Sequence, residues 1–267
     1  MPLRGALVTD FSGIRGEVMV DGHRLETLTY PAANGQRPTI VMLHEGLGSV
    51  SLWRDFPARL AAATQFGVLA YSRYGHGASD VLREPRSAGF MHHEATVVLP
   101  GLLDALQIER PVLLGHSDGG SIALIYAALR SSQPRALILE APHVFVEDVT
   151  VESIAKVRDA YTSTDLRTKL GRHHNHVDEM FQEWTTIWLD RKFRDWNIEN
   201  ALGDVRCPVL VIQGTDDEYG TMAQVAAIRR AVKGAETLLL PECGHSPHRD
   251  QTEATLEAIV GFLGERL

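Results

Sequence analysis

Cysteine is scarce in this chain of 267 residues, which has only Cys207 and Cys243. Two cysteines make neither a disulfide framework nor a metal cluster. Positive charge is also short. The formal net charge is −8, which argues against a general binder of nucleic acid or of anionic membrane surfaces. No apolar run approaches the roughly 18 residues that a membrane helix needs. Met1 to Asp21 mixes Arg, Asp, Glu and Gly, with none of the apolar stretch of a secretory leader. These absences lead to the expectation of a soluble, cytoplasmic protein whose partner is a small molecule, not nucleic acid or membrane; a homodimer stays open. There is no internal repeat or low-complexity tract. The length suffices for one large α/β domain with a core that needs no staples.

What is present is an alternation of strand-like and helix-like stretches. Gly16 to Tyr30 alternates loosely around Asp21-Gly22, a hairpin signal. Apolar strand runs follow at 39–43, 68–71, 111–114, 135–140, 208–213 and 236–240. Helical spacing is read over 52–63, 94–106, 121–129, 222–232 and 252–263. Strands that are apolar without alternating, separated by helices, predict a mostly parallel twisted sheet of about eight strands with helices on both faces. From Val144 to Leu202 the texture changes. Strand runs vanish, charge density rises, and Trp184, Trp188 and Trp196 appear, with helices expected over 149–161, 165–173 and 177–190. The predicted organisation is a core of 1–143 and 203–267 with a helical cap, 144–202, inserted at the carboxyl ends of the strands, where α/β proteins place ligands. On this map Cys207 opens one strand and Cys243 follows the end of a parallel one, roughly 20 Å apart along the sheet. They should not pair.

The stretch Leu114-Gly115-His116-Ser117-Asp118-Gly119-Gly120 lies between a strand run and an Ala-rich helical run. Gly115-x-Ser117-x-Gly119 has the spacing of a nucleophile elbow. Such a bend puts its serine in a strained conformation, and side chains two residues to either side would clash. The helix that follows aims its N-terminal N–H groups at the place where an anionic oxygen would form. A serine hydroxyl needs a base, and the base an orienting acid. Gly214-Thr215-Asp216-Asp217 and Cys243-Gly244-His245-Ser246 both follow strands at the same sheet edge.

The chain resembles the α/β-hydrolase family over most of its length. The resemblance rests on His44-Glu45-Gly46-Leu47-Gly48, on the elbow, on Gly214-x-x-Asp217 and on Gly244-His245-Ser246-Pro247-His248. It implies Ser117 as nucleophile, His245 as general base and acid, and Asp217 as the orienting carboxylate, with Asp216 its rival. It implies oxyanion donors from the backbone N–H groups of Asp118 and Gly46. No cofactor and no metal are implied. Where the family commonly has His-Gly-x, this chain has Glu45. A carboxylate facing an oxyanion would be repulsive, so Glu45 is expected to point away into structural contacts; contact with a polar substrate group or a water is the alternative. Asp118 is read either as helix N-terminal chemistry or as a binder of a cationic substrate group. Glu218 is read as a solvated helix start. His92-His93-Glu94 and His173-His174-x-His176 fit no standard zinc spacing. Candidate pocket residues are Glu45, His143, Trp184, Trp188 and His248, the two tryptophans sharing one helix face.

The expected function is a serine hydrolase, carboxylesterase-like, that cleaves an ester of a small to medium, partly apolar acid through an acyl-enzyme. Two alternatives use the same scaffold: a C–C bond hydrolase or lactonase, and a non-catalytic small-molecule receptor.

Overall fold

The computed structural model describes residues 13–33, 38–130 and 134–267. The parts of the expected 1–143 segment that cover residues 1–12, 34–37 and 131–133 lie outside the described residues. The strands are β1 (Ile14–Val20), β2 (His23–Tyr30), β3 (Thr39–Leu43), β4 (Gly67–Tyr71), β5 (Val112–His116), β6 (Ala136–Glu140), β7 (Val209–Gly214) and β8 (Glu236–Leu240). They form one eight-stranded sheet in the order β1-β2-β4-β3-β5-β6-β7-β8. β1 and β2 run antiparallel, as do β2 and β4; the rest pair in parallel. The hairpin turn uses Asp21 (φ 50°) and Gly22 (φ 76°), the left-handed pair that matches strand twist.

The helices are α1 (Phe56–Thr64), α2 (Phe90–His93), α3 (Leu99–Ala105), α4 (Asp118–Leu129), α5 (Asp148–Ser163), α6 (Leu166–Leu170), α7 (Val177–Leu189), α8 (Glu199–Leu202), α9 (Met222–Ala231), α10 (Pro247–Asp250) and α11 (Thr252–Arg266). Period-2 alternation sends Val41, Leu43, Leu113, Leu137 and Leu139 into one apolar layer. It sends Ile40, Met42, Val112, Leu114 and Ile138 into the other. α2, α3 and α4 cover the first layer, and α1 and α11 the second. Both faces are closed over the central strands, so β4, β5, β6 and β7 are buried throughout, while the edge strand β8 is only partly covered.

The helix expected over 94–106 begins earlier, at Phe90, and passes through a π turn at Glu94–Val98. Pro100 has no N–H to give the carbonyl of Thr96, and Arg130 Nη2 donates to that oxygen instead, at 3.3 Å. The expected 165–173 helix shortens to α6. Residues 144–202 carry α5 to α8, and α7 packs Ile187 and Trp188 into the main core. A smaller cluster of Leu170, Met180 and Phe181 takes in Leu47 from the loop after β3. Cys207 and Cys243 are both buried and free. Among the described residues no helix is long and apolar enough to cross a membrane.

Candidate active site

Ser117 stands between β5 and α4 with φ 52° and ψ −117°. A left-handed φ at a non-glycine residue is strained and persists only where its surroundings enforce it. They do so here by close approach. A Cβ on Gly115 would lie 2.3 Å from the Gly119 carbonyl oxygen, and one on Gly119 would lie 2.0 Å from that of Leu43. Only glycine fits at either place. The Ser117 carbonyl accepts from Gly120 N (2.8 Å) and Ser121 N (3.1 Å), so α4 begins at once and the Asp118 N–H is a free helix N-terminal donor.

Gly214 ends β7 where the β7 and β8 loops touch. A Cβ there would sit 2.2 Å from the Cys243 carbonyl oxygen. This contact delivers Asp217 to His245. Imidazole Nδ1 lies 2.8 Å from Asp217 Oδ1 and 2.9 Å from Oδ2. The carboxylate also accepts from Gln213 Nε2 (2.6 Å), Tyr219 N (2.8 Å) and Gly220 N (3.2 Å). Burial raises the Asp217 carboxyl, but the hydrogen bond and charge of His245, with these donors, outweigh it and hold the group below its ordinary 3.8. Burial likewise pushes His245 down. The hydrogen bond and charge of Asp217, with the charges of Glu218 and Glu45, prevail and hold the imidazole above 6.5. Asp216 is exposed and meets only Thr215 Oγ1, at 3.3 Å, through its side chain. With Nδ1–H directed at Asp217, Nε2 is left as the acceptor. Ser117 Oγ is not hydrogen-bonded to it, a link that commonly tightens only when substrate is bound.

Ser117 and His245 line one cavity of about 240 Å³. Glu45, Gly46, Asp118, His143, Trp184 and Trp188 line it too. His248 does not, which corrects the sequence expectation. It is 9 % exposed, and its Nδ1 lies 2.6 Å from Oε2 of the fully buried Glu140. It packs on Trp53, centroids 4.6 Å apart, on the far side of His116. Glu45 lines the cavity, as expected of a candidate pocket residue, and it makes a structural hydrogen bond as expected; only its direction needs a correction. It is half-buried and faces the cavity instead of turning away, with Oε2 accepting from Leu47 N at 2.5 Å. Burial raises its carboxyl. Glu218 is no helix start, since α9 opens at Met222; its Oε2 accepts from His245 N at 3.2 Å. His143, pushed down to about 3 by burial, is neutral. His44 is structural, as expected: Nε2 accepts from Arg73 N (3.0 Å), so Nδ1 donates to the Glu45 carbonyl (2.7 Å).

The His173–His176 tract serves as a fastening. His174 Nδ1 accepts from Gly77 N (2.9 Å) and Nε2 donates to the Leu47 carbonyl (2.9 Å). His173 Nδ1 meets Ser51 Oγ at 2.9 Å. Sequence reasoning missed Tyr219, whose ring centroid lies 4.7 Å from that of His245, and Arg73, which is wholly buried. Nothing in the sequence marked Tyr219. The signal for Arg73 was a lone arginine directly after a fully apolar strand, in Tyr71-Ser72-Arg73.

The pattern that defines the Alpha/beta hydrolase family matches residues 40–258. The chain belongs to this family. Among its relatives, a 2-hydroxy-6-oxononadienedioate/2-hydroxy-6-oxononatrienedioate hydrolase of Paraburkholderia phymatum is 26% identical, over 88% of this chain and 90% of that one. Among solved structures of the fold, a membrane phospholipase A superposes with a TM-score of 0.80 at 20% identity, covering 96% of this chain and 87% of that one. The enol-lactonase of Burkholderia xenovorans LB400 superposes at 0.74 and 22% identity, covering 93% and 100%. The α/β-hydrolase fold explains why loops distant in sequence meet here. Parallel strands deliver their carboxyl ends to one rim, and Ser117, Asp217 and His245 each stand just beyond such an end.

Proposed function

We propose that this α/β-hydrolase is a serine esterase that works through an acyl-enzyme on a small, partly apolar, uncharged ester. The observation that carries this reading is the sharing of one cavity by Ser117, the Asp217-bound imidazole of His245, and the Gly46 and Asp118 backbone. In this mechanism Ser117 Oγ attacks the carbonyl carbon and its proton passes to His245 Nε2. The new oxyanion is bound by the N–H groups of Gly46 and Asp118. The intermediate collapses, the C–O bond breaks, and His245 gives its proton to the departing alcohol. Water, deprotonated by His245, then attacks the acyl carbon and releases the acid. Asp217 orients the imidazole and offsets its charge. Residues 144–202 act as a cap whose α5 and α7 supply the apolar wall of Ile154, Trp184 and Trp188.

Cleavage of a C–C bond beside a ketone is the second reading, favoured by the likeness to the 2-hydroxy-6-oxononadienedioate/2-hydroxy-6-oxononatrienedioate hydrolase of Paraburkholderia phymatum. It would use the same residues. The cavity wall weighs toward an uncharged ester: besides Asp118, which buried Arg73 faces at 3.8 Å, it carries the carboxylates of Glu45 and Glu218 and one arginine, Arg249, itself 3.3 Å from Asp250. A dicarboxylate substrate would meet mostly like charge.

A fluorophosphonate probe should label Ser117, p-nitrophenyl butyrate should turn over, and Ser117→Ala should abolish both with its melting temperature unchanged. Absence of labelling in folded protein would favour the receptor. Rapid turnover of a vinylogous diketone with negligible ester cleavage would establish the C–C reading.

A further inference from the structure

We propose that Arg73 is the positioning residue of the oxyanion site: one buried guanidinium fixes both segments that present the Gly46 and Asp118 N–H groups. This rests on the serine-hydrolase reading and holds for either scissile bond.

Arg73 follows β4 and is 0% exposed. Its Nη1 donates to the His44 carbonyl at 2.5 Å and its Nη2 to the Glu45 carbonyl at 3.0 Å. The Glu45 carbonyl belongs to the same peptide unit as Gly46 N. That oxygen also accepts from His44 Nδ1 (2.7 Å) and Gly48 N (3.0 Å). The peptide is trans, so its N–H points opposite to its C=O. Holding the oxygen toward Arg73 turns the Gly46 N–H the other way, and Gly46 lines the cavity that Ser117 shares. Donors to a peptide oxygen also polarise the unit and strengthen its N–H as a donor.

The same Nη2 lies 3.8 Å from Asp118 Oδ2, and both side chains are buried. Asp118 Oδ2 has no hydrogen-bond partner. The charge of Arg73 is therefore its nearest compensation, and it draws the start of α4 toward the loop after β3. Asp118 is thereby occupied within the protein, which weighs against the reading in which it binds a cationic substrate group. The arginine main chain is fixed in turn, Arg73 N by His44 Nε2 (3.0 Å) and its carbonyl by His76 N (2.9 Å).

The test is Arg73→Lys, whose single ammonium cannot reproduce the planar fork. Active sites are counted by complete fluorophosphonate labelling. kcat per labelled site on p-nitrophenyl butyrate should fall about 100-fold, with KM within about threefold. Affinity for an alkyl trifluoromethyl ketone, which forms a tetrahedral adduct, should fall in parallel with kcat. A lowered melting temperature with per-site kcat and ketone affinity unchanged would show a merely structural arginine and overturn the proposal. Should the variant not fold, the wild-type ketone adduct decides. Its oxyanion must lie within hydrogen-bond reach of Gly46 N and Asp118 N, with both arginine–carbonyl bonds kept. An oxyanion elsewhere on a labelled Ser117 removes this inference alone. A Ser117 that takes no label removes the function with it.

Discussion

The imidazole of His245 is held between two opposed forces, and the outcome sets a pH dependence. Burial favours its neutral form, while Asp217, Glu218 and Glu45 favour the charged one and win. The proposed reaction needs His245 neutral as its base, so kcat/KM on a neutral ester should rise through one ionisation lying above pH 6.5. Asp217→Asn removes the largest raising influence and leaves burial, so the rising limb should move to lower pH. It should also lower kcat by about 10⁴-fold, through loss of the correct tautomer. Asp216→Asn should change neither, because that side chain is exposed and away from the imidazole; a damaging Asp216→Asn would reverse the assignment. At this scale the sequence was legible wherever backbone geometry restricts the residue type. The glycines at 115, 119 and 214 mark three approaches of backbone to backbone, and they located Ser117 and Asp217. Side-chain direction was not legible. Glu45 lines the cavity as one of the candidate pocket residues, but the direction of its side chain turns on a single hydrogen bond from Leu47 N; His248 was misplaced, because its position turns on a buried carboxylate 108 positions away.

α7 crosses the loop after β3 in close contact. A Cβ on Gly46 would lie 2.1 Å from Trp184 Nε1. Gly46→Ala must therefore displace either the indole or the loop. If the loop yields, kcat/KM on p-nitrophenyl butyrate should fall by about tenfold or more. Trp184→Ala makes room, so the double variant should recover most of that loss. Residues in contact couple in this way; strictly additive losses would show that Trp184 does not bear on the loop. The central strands were readable because each is a short run buried on both faces, the β1–β2 hairpin because it alternates around Asp21-Gly22, and the change of texture over 144–202 because strand runs cease there. The π turn before α3 was not; it precedes Pro100, which has no N–H to give the Thr96 carbonyl, and that oxygen accepts from Arg130. Nor was the fastening of the 144–202 stretch through His174, which needs partners at Gly77 and Leu47.

Across the whole molecule, acid sensitivity should exceed what Asp217 and His245 alone explain. His44, His76 and His116 are held well below their ordinary 6.5, chiefly by burial. His143 is lowered to about 3 and His174 to about 4, again chiefly by burial. The unfolded chain takes up these protons near pH 6.5 and the folded one only far lower, so stability should fall as pH drops from 6.5 toward 4. Asp217, lowered when folded, adds a loss below its ordinary 3.8. His245 opposes the trend, since its raised value favours the folded state at low pH. Urea midpoints at pH 7, 5.5 and 4.5 should decline in that order; a flat profile would mean that these imidazoles are open to protons. The sheet has a consequence of another kind. The groups proposed to break the bond ride on β-strand ends, whereas much of the wall that would choose the guest comes from a single contiguous stretch of chain. Reactivity and taste are thus encoded in separable passages, and exchanging 144–202 for the corresponding stretch of a relative should alter what is accepted while leaving how it is cut untouched.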